Sequence, residues 1–247
     1  MIEFVNVTKR FEAQAVLEKM SLTIEKGEIV FLIGRSGVGK SVSLKCLVGL
    51  LKLDAGEIRF DGRSTAELDE KEWMGLRRRC SLIFQNPALI DSMTIYDNLA
   101  LGIRAMGLAA SRSNERGLIE REIAQVGLDL SLLKRYPLEL SHSTQKRVSV
   151  ARALVVGSEA LLFDEPTTGL DPINTARINQ LIEGLGRAGR TIWVVSHDMH
   201  CALAVADRIL LLEGAHIAAD LTPKTIRSSN HPLIRQFLEE ADARPLH

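Results

Sequence analysis

The sequence has only three cysteines in 247 residues, an odd number with no pair at the spacing of a metal site. Cys46, Cys80 and Cys201 each lie among apolar neighbours, which predicts reduced, packed thiols rather than a disulfide framework. An excess of either charge is also lacking. The 31 Lys and Arg balance 31 Asp and Glu, so the formal net charge is zero. That balance argues against a general attraction to nucleic acid or anionic lipid, and Arg77-Arg78-Arg79 reads as a solvated helix face. No apolar run approaches the ~18 residues of a membrane span, and Met1-Ile2-Glu3-Phe4 does not begin a basic-then-apolar leader. The expectation is a cytoplasmic chain; if it works at a membrane, it does so through a partner. Internal repeats and low-complexity segments are missing too. Apolar residues make up 46% of the chain, enough for a substantial core and too many for disorder.

The pattern along the chain is α/β. Residues 2–8 alternate as a strand, 21–24 read as another before the Lys26-Gly27 turn, and 57–60 form a short strand between Asp54-Ala55-Gly56 and Asp61-Gly62. Residues 66–79 are helical and charged and lead to a strand at 80–84. From about 90 to 155 the pattern turns helical, with segments at 96–106, 112–127 and 145–156. Strands at 160–163 and 191–196 flank a helix at 174–186, a parallel-sheet signature, and 208–213 with 216–219 read as a terminal hairpin around Gly214.

The chain is organised around Gly34-Arg35-Ser36-Gly37-Val38-Gly39-Lys40-Ser41, which follows the apolar run Ile29-Val30-Phe31-Leu32-Ile33 and opens a helical pattern at Val42. Strand, glycine loop and helix together are the context of a phosphate-binding loop. Glycines let the backbone curl so that its N–H groups point inward, and the new helix adds the positive end of its dipole. Lys40 is a point charge for the β- and γ-phosphates, and the Ser41 hydroxyl suits magnesium. This is a nucleoside triphosphate site.

Other residues become candidates beside that loop. The buried strand 160–163 ends in Asp164-Glu165, the first acid placed to hold magnesium and the second to orient or deprotonate a water. His197 also follows a buried strand; it is either a structural histidine or a hydrogen-bond donor to the γ-phosphate. Gln85 offers an amide to magnesium or to the attacking water, against the alternative of a plain turn residue. Phe11 either stacks on adenine or packs in an antiparallel sheet.

The order of these motifs resembles the ATP-binding subunit of ABC transporters. Glycine loop, Gln85, Leu140-Ser141, Asp164-Glu165-Pro166, Gly169-Leu170-Asp171-Pro172 and His197 follow one another over nearly the whole chain. The resemblance implies a P-loop NTPase fold of the ABC ATPase kind, with a RecA-like α/β core, an N-terminal antiparallel β region and a helical subdomain. One domain would span 1–247, with its core lobe at about 1–88 and 157–225, the helical signature subdomain at 89–156 and a tail at 226–247. It also implies ATP and magnesium, and a head-to-tail homodimer enclosing two ATP molecules. Gln85 then resembles the Q-loop residue, Asp171 the D-loop aspartate and His197 the switch histidine. Ser141 and Ser143 would reach the partner's nucleotide. The sequence departs from the usual Leu-Ser-Gly-Gly-Gln in reading Leu140-Ser141-His142-Ser143-Thr144. A side chain in a loop that presses its backbone on the γ-phosphate either obstructs that approach or donates a hydrogen bond of its own. The resemblance therefore leaves open a transport ATPase slowed by its signature, a nucleotide-binding regulatory subunit that rarely hydrolyses, and an ABC importer or exporter ATPase for another small substrate.

Local stretches are similar to the ATPases of phospholipid-trafficking systems of the Mla/Mce type. These are the loop with its following Val42, the run from Phe84 through Asn98, and the tail His231-Pro232-Leu233-Ile234-Arg235-Gln236-Phe237-Leu238. That similarity implies an inner-membrane permease as partner, a periplasmic or membrane-anchored lipid-binding subunit, and no nucleic acid. The cytoplasmic helix of the permease would dock on the segment from Gln85 to about Met106, where Ile90, Met93, Ile95 and Leu99 are either docking positions or core.

Overall fold

Five successive apolar residues leave no polar face to turn to water, and all five are buried in strand β3 (Ile29–Ile33). The computed structural model describes residues 2–12 and 14–243. In it β3 lies within a six-stranded sheet, between β9 (Arg208–Glu213) and β8 (Thr191–Ser196). Beyond β8 come β7 (Ala160–Asp164) and β6 (Cys80–Ile83), and β10 (His216–Leu221) closes the other edge. All pairs are parallel except β9 with β10.

The period-2 alternation of these strands divides the core into two layers. Phe31, Ile33, Phe163 and Val194 face one side, and Val30, Leu32, Leu162 and Trp193 face the other. The second side is covered by α1 (Lys40–Leu47) and by an antiparallel sheet of order β2 (Gln14–Ile24), β1 (Ile2–Phe11), β4 (Ala55–Phe60), β5 (Arg63–Ser64). Phe4 of β1 meets Trp193 edge-on at 5.2 Å, joining the two sheets. The first side is covered by α3 (Ile95–Ala105), α4 (Arg112–Gln125), α5 (His142–Val155), α6 (Pro172–Arg187) and α7 (Met199–Val205). The helical insertion therefore stands where the sequence pattern puts it, and it shares one continuous core with the parallel sheet.

Boundaries move where side-chain caps decide them. The charged helix expected over 66–79 is α2 (Glu70–Arg79), because the Asp69 carboxylate accepts from Glu72 N and the Glu72 carboxylate accepts from Asp69 N. The first two strands are longer than expected and pair out to Phe11 and Gln14. Most of the expected tail at 226–247 is helical. Pro232–Asp242 form α8, whose Leu233, Ile234, Phe237, Leu238 and Ala241 are buried at helical spacing in the core beside α7. Residues 244–247 of that expectation lie outside the described residues. Ile95 and Leu99 are fully buried and belong to the core, which removes them as docking positions; Ile90 remains exposed. The three cysteines are buried and free, and burial pushes the Cys46 thiol up to about 11.

Candidate active site

The loop from Gly34 to Gly39 must curl within six residues, and its glycines are required by shape. A Cβ on Gly34 would sit 2.6 Å from the Leu212 carbonyl oxygen. Gly39 has φ +110°, and a Cβ there would meet Val16 of β2 at 2.5 Å. Gly39 also caps α1, so the first free N–H groups of that helix open into the curl. Arg35, Ser36 and Gly37 are exposed on the crown of the loop, while Val38 and Val42 are half-buried. Lys40 is buried and donates to the carbonyls of Gly34 (2.8 Å) and Arg35 (3.1 Å). Burial pushes its pKa down, and the Glu165 carboxylate 3.5 Å away opposes that shift.

Strand order brings distant residues to this loop, because β3, β8 and β7 are neighbours and end on the same side. Ser41 donates to Asp164 Oδ1 at 2.6 Å, and burial raises the pKa of that aspartate. Among the described residues no group of three His, Cys, Asp or Glu side chains can hold a metal alone. An ion at the Ser41–Asp164 pair must therefore complete its shell with phosphate and water oxygens, which is how magnesium is usually bound. The residues present fit that ion. Glu165 points across the same space. Its Oε2 lies 2.9 Å from His197 Nδ1 and 3.2 Å from the Thr168 hydroxyl. The structure thus assembles Lys40, Ser41, Asp164, Glu165 and His197, and leaves Gln85 exposed without a hydrogen bond among the described residues. Phe11 is 45% exposed at the end of β1, which excludes its packing in the core.

The sequence profile described as ABC transporter matches residues 17–168, more than half of the chain. The chain belongs to the ABC transporter family. Among its ABC relatives is the probable ribonucleotide transport ATP-binding protein Mkl of Mycobacterium bovis, 37% identical over 96% of this chain. The methionine import ATP-binding protein MetN of Rhizobium johnstonii is 38% identical over 89% of it. The chain spans 66% and 60% of the lengths of these two relatives. Among solved structures, the dimeric ABC transporter cassette MJ0796 superposes with a TM-score of 0.83 at 31% identity, over 90% of this chain and 99% of that one. The same cassette is known in a dimeric post-hydrolysis state bound to ADP and Pi, with a TM-score of 0.82.

Within this ABC fold the altered signature is part of a helix. α5 begins at His142 rather than at 145, because the Ser141 side chain accepts from Thr144 N and caps it. Ser141 and His142 are exposed, but Ser143 is buried and donates to Asn174 Oδ1 at 2.9 Å. Its hydroxyl is therefore held within its own chain. Asp171 caps α6 and accepts from both the N and the Nδ2 of Asn174.

Two contacts to this site escaped the sequence reading. Thr168 bonds Glu165 directly, and Lys146 of α5 donates to the backbone carbonyls of Pro166 (2.9 Å) and Thr168 (2.8 Å). The available signal was the spacing of Ser143, Lys146, Val150 and Ala153, which places a lysine on the buried stripe of α5.

Proposed function

We propose that this chain binds and hydrolyses magnesium-ATP as the energising subunit of an ABC transporter, acting as a homodimer under a membrane permease. The observation that carries this reading is the convergence of five side chains beyond the ends of three adjacent parallel strands. Lys40, Ser41, Asp164, Glu165 and His197 all stand within 3.5 Å of another member of the set. Lys40 and the loop amides bind phosphate, with Arg35, Ser36, Val38 and Val42 shaping the curl and its first helical turn. Ser41 and Asp164 hold magnesium, with Gln85 as a further ligand once the site closes; the ion supplies positive charge to the phosphate oxygens. Glu165 orients and deprotonates the attacking water, and His197 fixes the Glu165 carboxylate and senses the γ-phosphate. Phe11 offers its exposed ring to adenine. Ser141 and Asp171 face the partner copy, and Ser143 takes part only through its backbone. The dimeric cassettes of similar fold support this arrangement.

The test is Glu165→Gln. A positioned general base contributes about 10²–10⁴-fold, so the variant should lose at least about 100-fold in turnover, keep its ATP affinity and accumulate as an ATP-bound dimer. Turnover at the parent rate would remove the assignment.

The permease site we assign is a groove of about 420 Å³ between α2, β6, α3 and α5, lined by Val48, Leu50, Phe84, Leu101, Ala105 and Val156. For the cargo we infer phospholipid, moved between the inner membrane and a periplasmic or membrane-anchored carrier. The stretches 84–98 and 231–238 support it. Mkl and MetN carry the names of ribonucleotide and methionine transporters, so the decisive measurement is mass spectrometry of what co-purifies with the intact complex. Phospholipid at one or a few copies per complex is the expected result, and a bound nucleotide or methionine would replace that reading. The exposed His142 favours a second reading, a regulatory subunit that rarely hydrolyses, which an ATPase assay on the complex decides.

A further inference from the structure

A lysine ammonium stripped of water is costly unless something requires it, and an apolar side chain would pack the same helix face more cheaply. Lys146 is such a group. It is 4% exposed on the inner stripe of α5, and burial pushes its pKa down to about 8. Both of its acceptors lie in one short turn, at Pro166 and Thr168. That turn begins with Glu165, a residue with φ +49°, in the left-handed region where a side chain is strained and its direction must be held by its surroundings.

The rest of the turn is held from the sheet side. Glu165 N donates to the Val195 carbonyl at 2.9 Å, and Thr168 N returns to the Glu165 carbonyl at 3.3 Å. The Thr168 hydroxyl reaches Glu165 Oε2. Lys146 grips the same turn from the opposite side, out of the helix whose first residue is His142. We propose that Lys146 is a positioning residue for hydrolysis: it pins the Glu165 turn to α5, so that the aim of the Glu165 carboxylate depends on the placement of the signature helix. Lys146 does not touch the glycine loop in this structure, so it acts on the chemical step and leaves nucleotide binding alone. This inference rests on the role assigned to Glu165 above.

The experiment compares the full-length parent with K146M, K146R, E165Q and the double variant K146M/E165Q. It measures steady-state ATP hydrolysis and the affinity for a fluorescent ATP analogue. The expected result for K146M is a fall in kcat of about tenfold or more, with KM and analogue affinity within about twofold of the parent. K146R, which keeps charged donors, should recover a large part of kcat. The double variant should be no slower than E165Q, because both changes act on one group. A merely structural lysine would lower the melting temperature and leave the split between kcat and KM unmoved.

A folded K146M with parental kcat overturns the proposal, as does a loss confined to KM. Should K146M fail to bind the analogue, K146Q, which retains an amide donor, takes its place and is judged by the same two numbers. An E165Q variant that hydrolyses like the parent overturns the Glu165 assignment itself. A dead E165Q beside an unimpaired K146M overturns only the positioning role.

Discussion

At the residue scale, the first turn of α5 is where the sequence departs from the usual signature. His142 is exposed in its first turn, and partial desolvation followed by the charge of Lys146 lowers its pKa. The ring adds bulk where the usual signature has a glycine. Ser143 is not an equivalent obstacle, because its side chain is buried on Asn174. His142→Gly should thus raise steady-state ATPase activity, by about tenfold if one charge-assisted backbone contact is restored in the transition state. Ser143→Gly should not, since it only cuts the bond that ties α5 to the cap of α6. A coupled ATPase assay checks both, and an unchanged or slower H142G would sink the obstruction argument.

Within the helical layer, one buried acid ties α4 to α3. Glu115 of α4 is 5% exposed and receives Arg104 of α3 in a two-pronged contact at 2.8 Å, with the Tyr96 hydroxyl at 2.9 Å. Arg104, then Tyr96, hold its pKa below the ordinary 4.5 against the opposing effect of burial. For an acid with a depressed folded pKa, the stabilisation is present above the unfolded value and fades as pH falls through the folded one. Glu115→Gln should therefore cost about 1 kcal/mol near neutral pH, at the low end because Arg104 is half exposed to screening water. The gap between parent and variant should begin to close below about pH 4.5 and go on closing as pH falls through the folded pKa. Urea unfolding at pH 7 and pH 4 measures it, and an equal gap at both pH values would refute the charge argument.

For the whole molecule, the candidate catalytic groups and the apolar groove occupy different faces. The acids and the glycine loop lie beyond the strand ends, while the apolar groove lies between α3, α5 and the outer edge of the sheet at β6. Leu101 is 46% exposed and Leu50 51% exposed beside it, more apolar surface than a helix needs if nothing covers it. Leu101→Asp should abolish co-purification with the permease while the melting temperature of the isolated chain moves by no more than a few degrees. Undiminished co-purification would place the permease elsewhere.

The glycine loop, the buried parallel strands and the amphipathic helices were legible in the sequence because each is written in neighbouring residues. A strand needs only its alternation, and a phosphate loop only its glycines and lysine. Caps were less legible, which is why α2 and α5 begin elsewhere than periodicity suggests. What the tertiary structure alone decided is which groups meet. Ser41 and Asp164 are 123 residues apart and touch because the sheet order sets β7 and β3 on either side of β8. The inward turn of Ser143, the docking of α8 and the grip of Lys146 on the Glu165 turn have the same origin. They are contacts between distant segments, and their geometry follows from packing that no local pattern contains.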